Sequence, residues 1–161
     1  GRLMDIRECT PDDLISLLHC ASDDKDIDFL DNWTQYQAWL IEALQKNQWH
    51  VIVAAKNWGI IGFLIWNEYR ECWKNVGRLN YIYVSEDFRK GEAADKLVEE
   101  FIHNIYNSSA QRLEFNSKVL PQRWIDTISL NAPLDKYTTY HIERTEEVKR
   151  FYNDNFRREE I

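Results

Sequence analysis

Leu79-Asn80-Tyr81-Ile82-Tyr83-Val84-Ser85-Glu86-Asp87-Phe88-Arg89-Lys90-Gly91-Glu92-Ala93-Ala94-Asp95-Lys96-Leu97-Val98 is the stretch that decides the fold. Its aromatic and branched residues up to Val84 predict a strand. A short polar turn with two cations and a glycine follows, and then a helix from about Lys90 to Tyr106. Ala93, Ala94, Leu97, Val98, Phe101, Ile102 and Ile105 recur at helical spacing, with Glu99, Glu100 and Asn104 on the other side. A turn that feeds straight into a helix gathers unpaired backbone N–H groups at the positive end of the helix dipole. That arrangement suits a phosphate, and Arg89 and Lys90 add to the attraction.

Upstream, Trp49 to Lys56 and Ile60 to Trp66 are two β runs joined by Asn57-Trp58-Gly59, an antiparallel hairpin. Their near-continuous apolar character predicts a central place in a sheet covered on both faces. Arg70 to Gly77 reads as a polar connection, leading to a strand from Arg78 to Val84. Near the start, Leu3 to Arg7 is expected to be a strand. Thr10-Pro11-Asp12-Asp13 then opens a helix that buries Leu14, Ile15, Leu17 and Leu18. Asp23 to Asp28 reads as a solvated acidic loop, without the turn glycine and closing Glu of a calcium loop. Thr34 and Gln37 form a capping box for a second helix, Gln35 to Lys46, with Trp39, Leu40, Ala43 and Leu44 on one side. Downstream we expect a strand at Gln111 to Asn116, a helix at Pro121 to Ser129 and a strand at Tyr137 to Glu143. A last helix starts at Thr145 and carries Phe151, Tyr152 and Phe156 on or near it. The order β-α-α-β-β-β-α-β-α-β, with that C-terminal helix, predicts a mixed α/β sheet in one compact unit.

A chain of 161 residues fits one domain of the usual size, about 100–150 residues, and we expect residues 4–161 to form it. Gly1-Arg2-Leu3 is expected to be a cloning remnant before Met4. Seven Trp, eight Tyr and seven Phe supply a substantial core, while five Gly and three Pro argue against a turn-rich sandwich. No apolar run approaches the ~20 residues of a membrane span, and no charged-then-apolar leader opens the sequence, so a cytoplasmic protein away from membranes is expected. Cys9, Cys20 and Cys72 read as free thiols. The four His lack metal-ligand spacing, so no metal is expected. A net charge of −7 leans against nucleic acid and mildly toward a cationic partner such as an amine.

The apolar hairpin ahead of a strand, basic turn and helix resembles the GNAT superfamily of acyl-CoA-dependent N-acetyltransferases, from Met4 to about Glu143. The motif of that family is a strand ending in Val, a few turn residues, then Arg/Gln-x-x-Gly-x-Gly/Ala opening a helix. Arg89 falls on its first position, Lys90 and Gly91 on the variable pair, Ala94 on the final small position, and Leu97 on the apolar position three residues later. Glu92 stands where the family has its central glycine, and a carboxylate there crowds and repels a pyrophosphate.

The resemblance implies a mostly antiparallel sheet flanked by helices and acetyl-CoA as co-substrate. It also implies that the strand before the turn splays from the next one, so that pantetheine pairs with the backbone of Ile82, Tyr83 and Val84. The pyrophosphate would lie on Arg89, Lys90, Gly91, Glu92, Ala93 and Ala94. A late tyrosine serves the family as general acid, in a pattern like Tyr-x-x-x-Gly-Phe. Counting back from Phe156 reaches Phe151, so Tyr152, one place away, and Tyr140 are the candidates. Glu68, at the end of the second hairpin strand, is the candidate base. The acceptor would be a small-molecule or protein amine. Three readings stay open: an N-acetyltransferase that works by direct attack, a GNAT-fold binding or structural module without transfer activity, and, disfavoured by the acidic balance, a GNAT-like enzyme that modifies nucleic acid.

Overall fold

The structure, a computed structural model, describes residues 4–24, 29–45, 49–116, 119–131 and 142–157. Five strands form one sheet in chain order: β1 (Asp5–Glu8), β2 (Trp49–Lys56), β3 (Gly59–Glu71), β4 (Lys74–Val84) and β5 (Arg112–Phe115). The first three pairings are antiparallel and β4–β5 is parallel. The parallel pairing needs a crossover, and α3 (Ala93–Tyr106) supplies it. The other helices are α1 (Leu14–Ala21), α2 (Phe29–Gln45), α4 (Gln122–Asn131) and α5 (Glu146–Asn155). The architecture is the mixed, mostly antiparallel sheet flanked by helices that the sequence predicts. The chain divides into two compact units, Gly1–Asp126 and Thr127–Ile161. The sheet and α1 to α3 belong to the first; the second holds the end of α4 and all of α5, whose Phe151, Tyr152 and Phe156 are exposed.

The hairpin reads as continuously apolar because both of its faces are covered. On one face Val51, Val53, Phe63 and Ile65 pack with Leu17, Cys20 and Ala21 of α1 and Leu40 and Ala43 of α2. On the other, Trp66 meets Phe101 of α3 at 5.8 Å between ring centroids, and Leu97, Val98 and Ile105 are buried along the same helix. Each fully buried side chain of this size contributes about 1.5–3 kcal/mol.

A β-bulge sets which face each residue of β4 serves. Ile65 lies opposite Tyr81 and Trp66 opposite Leu79, so Asn80 is the extra residue. With a strict period of two, Leu79 and Tyr81 would share a face. The bulge instead keeps Leu79 beside Trp66 on the α3 face and sends Tyr81 beside Ile65 on the α1/α2 face. Asn80 is held in place by its own amide, which donates to Asn67 Oδ1 at 2.6 Å.

Several boundaries differ from expectation, each for a physical reason. Arg70 to Gly77 is not a connection: β3 and β4 continue through it and turn at Cys72-Trp73, with Cys72 at φ 54°. The segment is polar because this end of the ribbon stands in solvent. Polar ties hold it to β5: Tyr69 Oη donates to Glu114 at 2.8 Å, and Arg112 meets Glu71 at 2.7 Å. α2 begins at Phe29, so Thr34 lies within the helix, exposed, and does not cap it. A 3-10 turn at Pro11–Asp13 precedes α1 and offsets its phase, leaving Ile15 83% exposed while Leu17, Cys20 and Ala21 go inside. Of the expected solvated loop at Asp23 to Asp28, Asp23 is exposed, Asp24 is only 4% exposed, and residues 25–28 lie outside those described. The expected strand at Tyr137 to Glu143 falls mainly on residues outside those described, as does Tyr140; Ile142 and Glu143 form no strand.

β1 is tied to the start of α1 by Asp13, which accepts the Thr10 N–H at 2.8 Å and two bonds from the Arg7 guanidinium at 2.6 and 2.9 Å. The Arg7 hydrogen bonds hold the Asp13 carboxyl well below the usual carboxylate range. A depressed folded value contributes stability that is present above the unfolded value, about 3.9, and is lost as the pH falls below it. Asp13→Asn should therefore cost about 1–2 kcal/mol at pH 7, since Arg7 is partly exposed, and the difference from wild type should shrink steadily on acidification below pH 4 in urea titrations. At Gly77 an added Cβ would lie 2.0 Å from Ile105 Cδ1. Gly77→Ala should cost about 1 kcal/mol in the same titrations, through displacement of the Ile105 terminal methyl and not of the α3 backbone.

Candidate functional site

The last ladder bond of β4 fixes how its whole second half is used. Ser85 N–H donates to the Ile61 carbonyl at 2.8 Å. In an antiparallel ladder, opposed residues alternate between pairs that exchange hydrogen bonds and pairs that do not. With Ser85 opposite Ile61, Tyr83 with Phe63 and Tyr81 with Ile65 are exchanging pairs, whereas Ile82 and Val84 turn their N–H and C=O groups to the other edge. On that edge β5 pairs only from Val76 to Leu79. Past Leu79, among the described residues, no strand meets Ile82 or Val84.

This splay corrects one part of the sequence expectation. Ile82 and Val84 present backbone to the opening, but the backbone of Tyr83 belongs to β3. Its side chain serves instead as a platform, with the Arg89 guanidinium 5.5 Å from its ring centroid. Arg89 Nε donates to the Val84 carbonyl at 2.9 Å, so that carbonyl is already used. The groups presented to the opening are therefore the N–H and C=O of Ile82 and the N–H of Val84. Burial raises the Tyr83 phenol above its ordinary value, with Arg89 opposing, and its hydroxyl has no hydrogen-bond partner among the described residues.

The turn after β4 is tied by its own backbone. Phe88 N–H donates to Ser85 O, Arg89 N–H to Glu86 O and Gly91 N–H to Phe88 O, at 2.8, 3.3 and 3.2 Å. α3 then starts at Ala93, with Glu92 as the residue before it, and no side chain caps this end. Its first N–H groups have no acceptor within the helix. Asp95, the acid of the first turn, is turned to α4, accepting from Trp124 Nε1 at 2.9 Å and Arg123 at 2.6 Å. Glu92 is exposed at φ −86°, ψ −6°, an ordinary helical conformation, so the backbone here does not require glycine. Arg89 and Lys90 are exposed beside it. Arg89 is pinned at the end of β4 through Nε, with its guanidinium over the Tyr83 ring.

The candidate acid–base residues are distributed differently. Glu68 lies opposite Gly77 and accepts from Ser109 Oγ at 3.3 Å. It is six residues along β3 from Gly62, the partner of Val84, or roughly 20 Å at the rise of a strand. Tyr152 lies on α5 in the second unit, 55% exposed. Tyr140 is outside the described residues. Burial pushes the Cys9 thiol up to about 12 and also raises that of Cys20, whose Sγ lies 3.5 Å from Ser85 Oγ, while Cys72 is exposed at the β3–β4 turn. Among the described residues no group of three or more His, Cys, Asp or Glu is placed to hold a metal, and no helix is long and apolar enough to cross a membrane.

Sequence reading missed Asn80, Tyr81 and Asp24. Tyr81 Oη donates to the buried Asp24 carboxylate beneath β4, joining the segment after α1 to the strand just past its bulge. The one available signal was a polar Asn inside an otherwise apolar and aromatic strand.

No protein-family model matches the sequence, and no curated protein does. Solved structures match by shape. A probable acetyltransferase superposes with a TM-score of 0.71 at 19% identity, over 89% of this chain and 99% of that one. AAC(6')-Iy, in complex with the bisubstrate analogue CoA-S-monomethyl-acetylneamine, gives 0.67 at 17% identity, over 89% and 100%. Ribosomal-protein-alanine N-acetyltransferase from Brucella melitensis biovar Abortus 2308 gives 0.66 at 17%, over 88% and 99%. At these identities the likeness is one of fold.

The alternation along β4 can be read directly by amide hydrogen exchange. In the ligand-free protein the Tyr81 and Tyr83 amides should exchange orders of magnitude more slowly than those of Ile82 and Val84. Equal protection along the four residues would mean that another segment covers the edge.

Proposed function

We propose that this chain, which has the fold of the GNAT acyltransferases, is an N-acyltransferase that moves an acetyl group from acetyl-CoA to a primary amine by direct attack. The observation that carries the reading is the open half of β4 running into the uncapped start of α3. An extended chain with amide groups can add to that edge as a strand would, through Ile82 N–H and C=O and Val84 N–H. A pyrophosphate at its end would meet the first N–H groups of α3 and the terminal nitrogens of Arg89. Acetyl-CoA has both parts in that order. When bound it supplies a thioester, at which the amine forms a C–N bond, the C–S bond breaks, and coenzyme A leaves as a thiol while the nitrogen gives up a proton. Arg89 and the α3 start anchor one end of the ligand and β4 aligns the rest. Holding the reactants in this way is itself a large share of the catalysis such a reaction needs.

Glu92 supports a second reading, a GNAT-fold module that does not transfer acetyl groups. A carboxylate about 4 Å from a phosphate in water opposes binding by only ~1 kcal/mol. Glu92 is exposed, and Arg89, Lys90 and the helix dipole act against it, so the first reading is preferred.

Thermal unfolding tests both. Acetyl-CoA at about 100 times its Kd should stabilise the protein by about 2.7 kcal/mol. No shift at millimolar acetyl-CoA or free coenzyme A would overturn the acyltransferase reading. A shift without thiol release across a panel of amines would favour the binding module. Arg89→Ala should raise the Kd for coenzyme A about tenfold, or ~1.4 kcal/mol, with the circular dichroism spectrum unchanged.

A further inference from the structure

Asp95 occupies a position from which a carboxylate ordinarily closes the start of a helix. It is the third residue of α3, and Glu92, three places earlier, is the residue before the helix. An acid at this spacing reaches back to the N–H ahead of the helix. The same chain shows this at its other end: Asp13, three places after Thr10, accepts the Thr10 N–H at 2.8 Å. Among the described residues Asp95 makes no such bond. Its Oδ1 accepts instead from Trp124 Nε1 at 2.9 Å and from the Arg123 guanidinium at 2.6 Å, both at the start of α4. All of these residues lie in the same compact unit, Gly1–Asp126.

Two consequences reach an anion at the start of α3. Turned to α4, the carboxylate leaves the N–H groups of the first turn without a side-chain acceptor. Paired with Arg123, it also opposes a nearby phosphate far less than a lone carboxylate would. Lys96, the next residue, pairs with Glu99 at 3.5 Å and not with Asp95, so the neutralising charge comes from α4. Glu92, the other acid of this end, is exposed.

We propose that Arg123 and Trp124 are positioning residues for the phosphate end of the ligand: by holding Asp95 toward α4 they keep it from closing the α3 start and from repelling a pyrophosphate there. The role rests on the acyl-transfer reading, which puts the pyrophosphate at that start. Calorimetric titration of coenzyme A into the full chain and its variants tests it. Arg123→Ala should raise the Kd about three- to fivefold. Trp124→Phe, which keeps a ring and loses the N–H, should raise it in the same direction. Asp95→Ala should bind coenzyme A at least as tightly as wild type, and adding Arg123→Ala to it should change nothing further. A merely structural tie between α3 and α4 predicts otherwise, since Asp95→Ala breaks the same contacts and would weaken binding as Arg123→Ala does. Direct contact of Arg123 with the phosphate predicts equal weakening with and without Asp95. Either result would overturn the proposal. Hydrogen exchange of the ligand-free protein reads the same switch without coenzyme A. The Glu92 amide should be protected several-fold more in Arg123→Ala than in wild type, and the gain should vanish when Asp95→Ala is added. No gain in either Arg123→Ala or Trp124→Phe would refute the role even where binding falls. Wild type that fails to bind coenzyme A would remove the acyltransferase reading itself, whereas binding that none of these variants alters would overturn this role alone.

Discussion

The backbone hydrogen bonding of β4 is the constraint on which the rest of the molecule depends. Its inner edge is paired with β3 from Lys74 to Val84, while its outer edge is paired with β5 only from Val76 to Leu79. A strand inside a sheet that leaves peptide groups unpaired gives up hydrogen bonds that its neighbours make, and an exposed edge invites unwanted pairing. The second half of β4 tolerates this because everything else about it is fixed. The β3 ladder holds it on one side, Tyr81 and Tyr83 pack with Leu17 and Leu40 on one face, and α3 packs against β4 on the other. The opening is thus a rigid feature of a well-packed sheet, the kind of place where a ligand can supply missing hydrogen bonds without reorganising the protein.

Bulge, ring contacts and turn follow from the same geometry. Asn80 changes the phase of β4 where β5 ends, and this turns Tyr81 toward α1 and α2. Tyr81 then reaches Asp24 and joins the ring contacts with Tyr36 and Trp39. At the other end of the open half, Arg89 folds back onto the Val84 carbonyl and the Tyr83 ring. One four-residue step along the strand thus separates an anionic, aromatic environment from a cationic one.

Local electrostatics at the α3 start are balanced rather than uniform. Cations at a helix N-terminus oppose its dipole, and Arg89 and Lys90 stand there without a capping side chain to compensate. Asp95 would be the natural compensation, yet it is committed to Arg123 and Trp124. Glu92 supplies negative charge close by but points to solvent. The result is an end whose first N–H groups meet no capping side chain among the described residues, with a positive side chain pinned next to them.

Much of this was legible in the sequence for a simple reason: periodicity records which faces are buried. The continuous apolar runs of Trp49 to Trp66 could only be central strands, and the spacing from Ala93 to Ile105 could only be an amphipathic helix, so the layered α/β sheet followed, as did the basic turn between. Where burial and polarity part company the sequence was silent. The segment from Arg70 to Gly77 looked like a connection because its tip is polar and meets water, although its strands pair on both sides of the Cys72-Trp73 turn. Asp24 looked solvated because a carboxylate carries no mark of being covered. A bulge leaves no periodic signature beyond one residue out of phase, and a ladder's phase depends on a partner strand that local sequence does not encode. The amino-acid order by itself determined the central hairpin, the helix α3 and the turn that joins β4 to it. Only the tertiary structure decided that Ile82 and Val84, and not Tyr83, face the opening, because that choice is made by the hydrogen bond from Ser85 to Ile61 across the sheet.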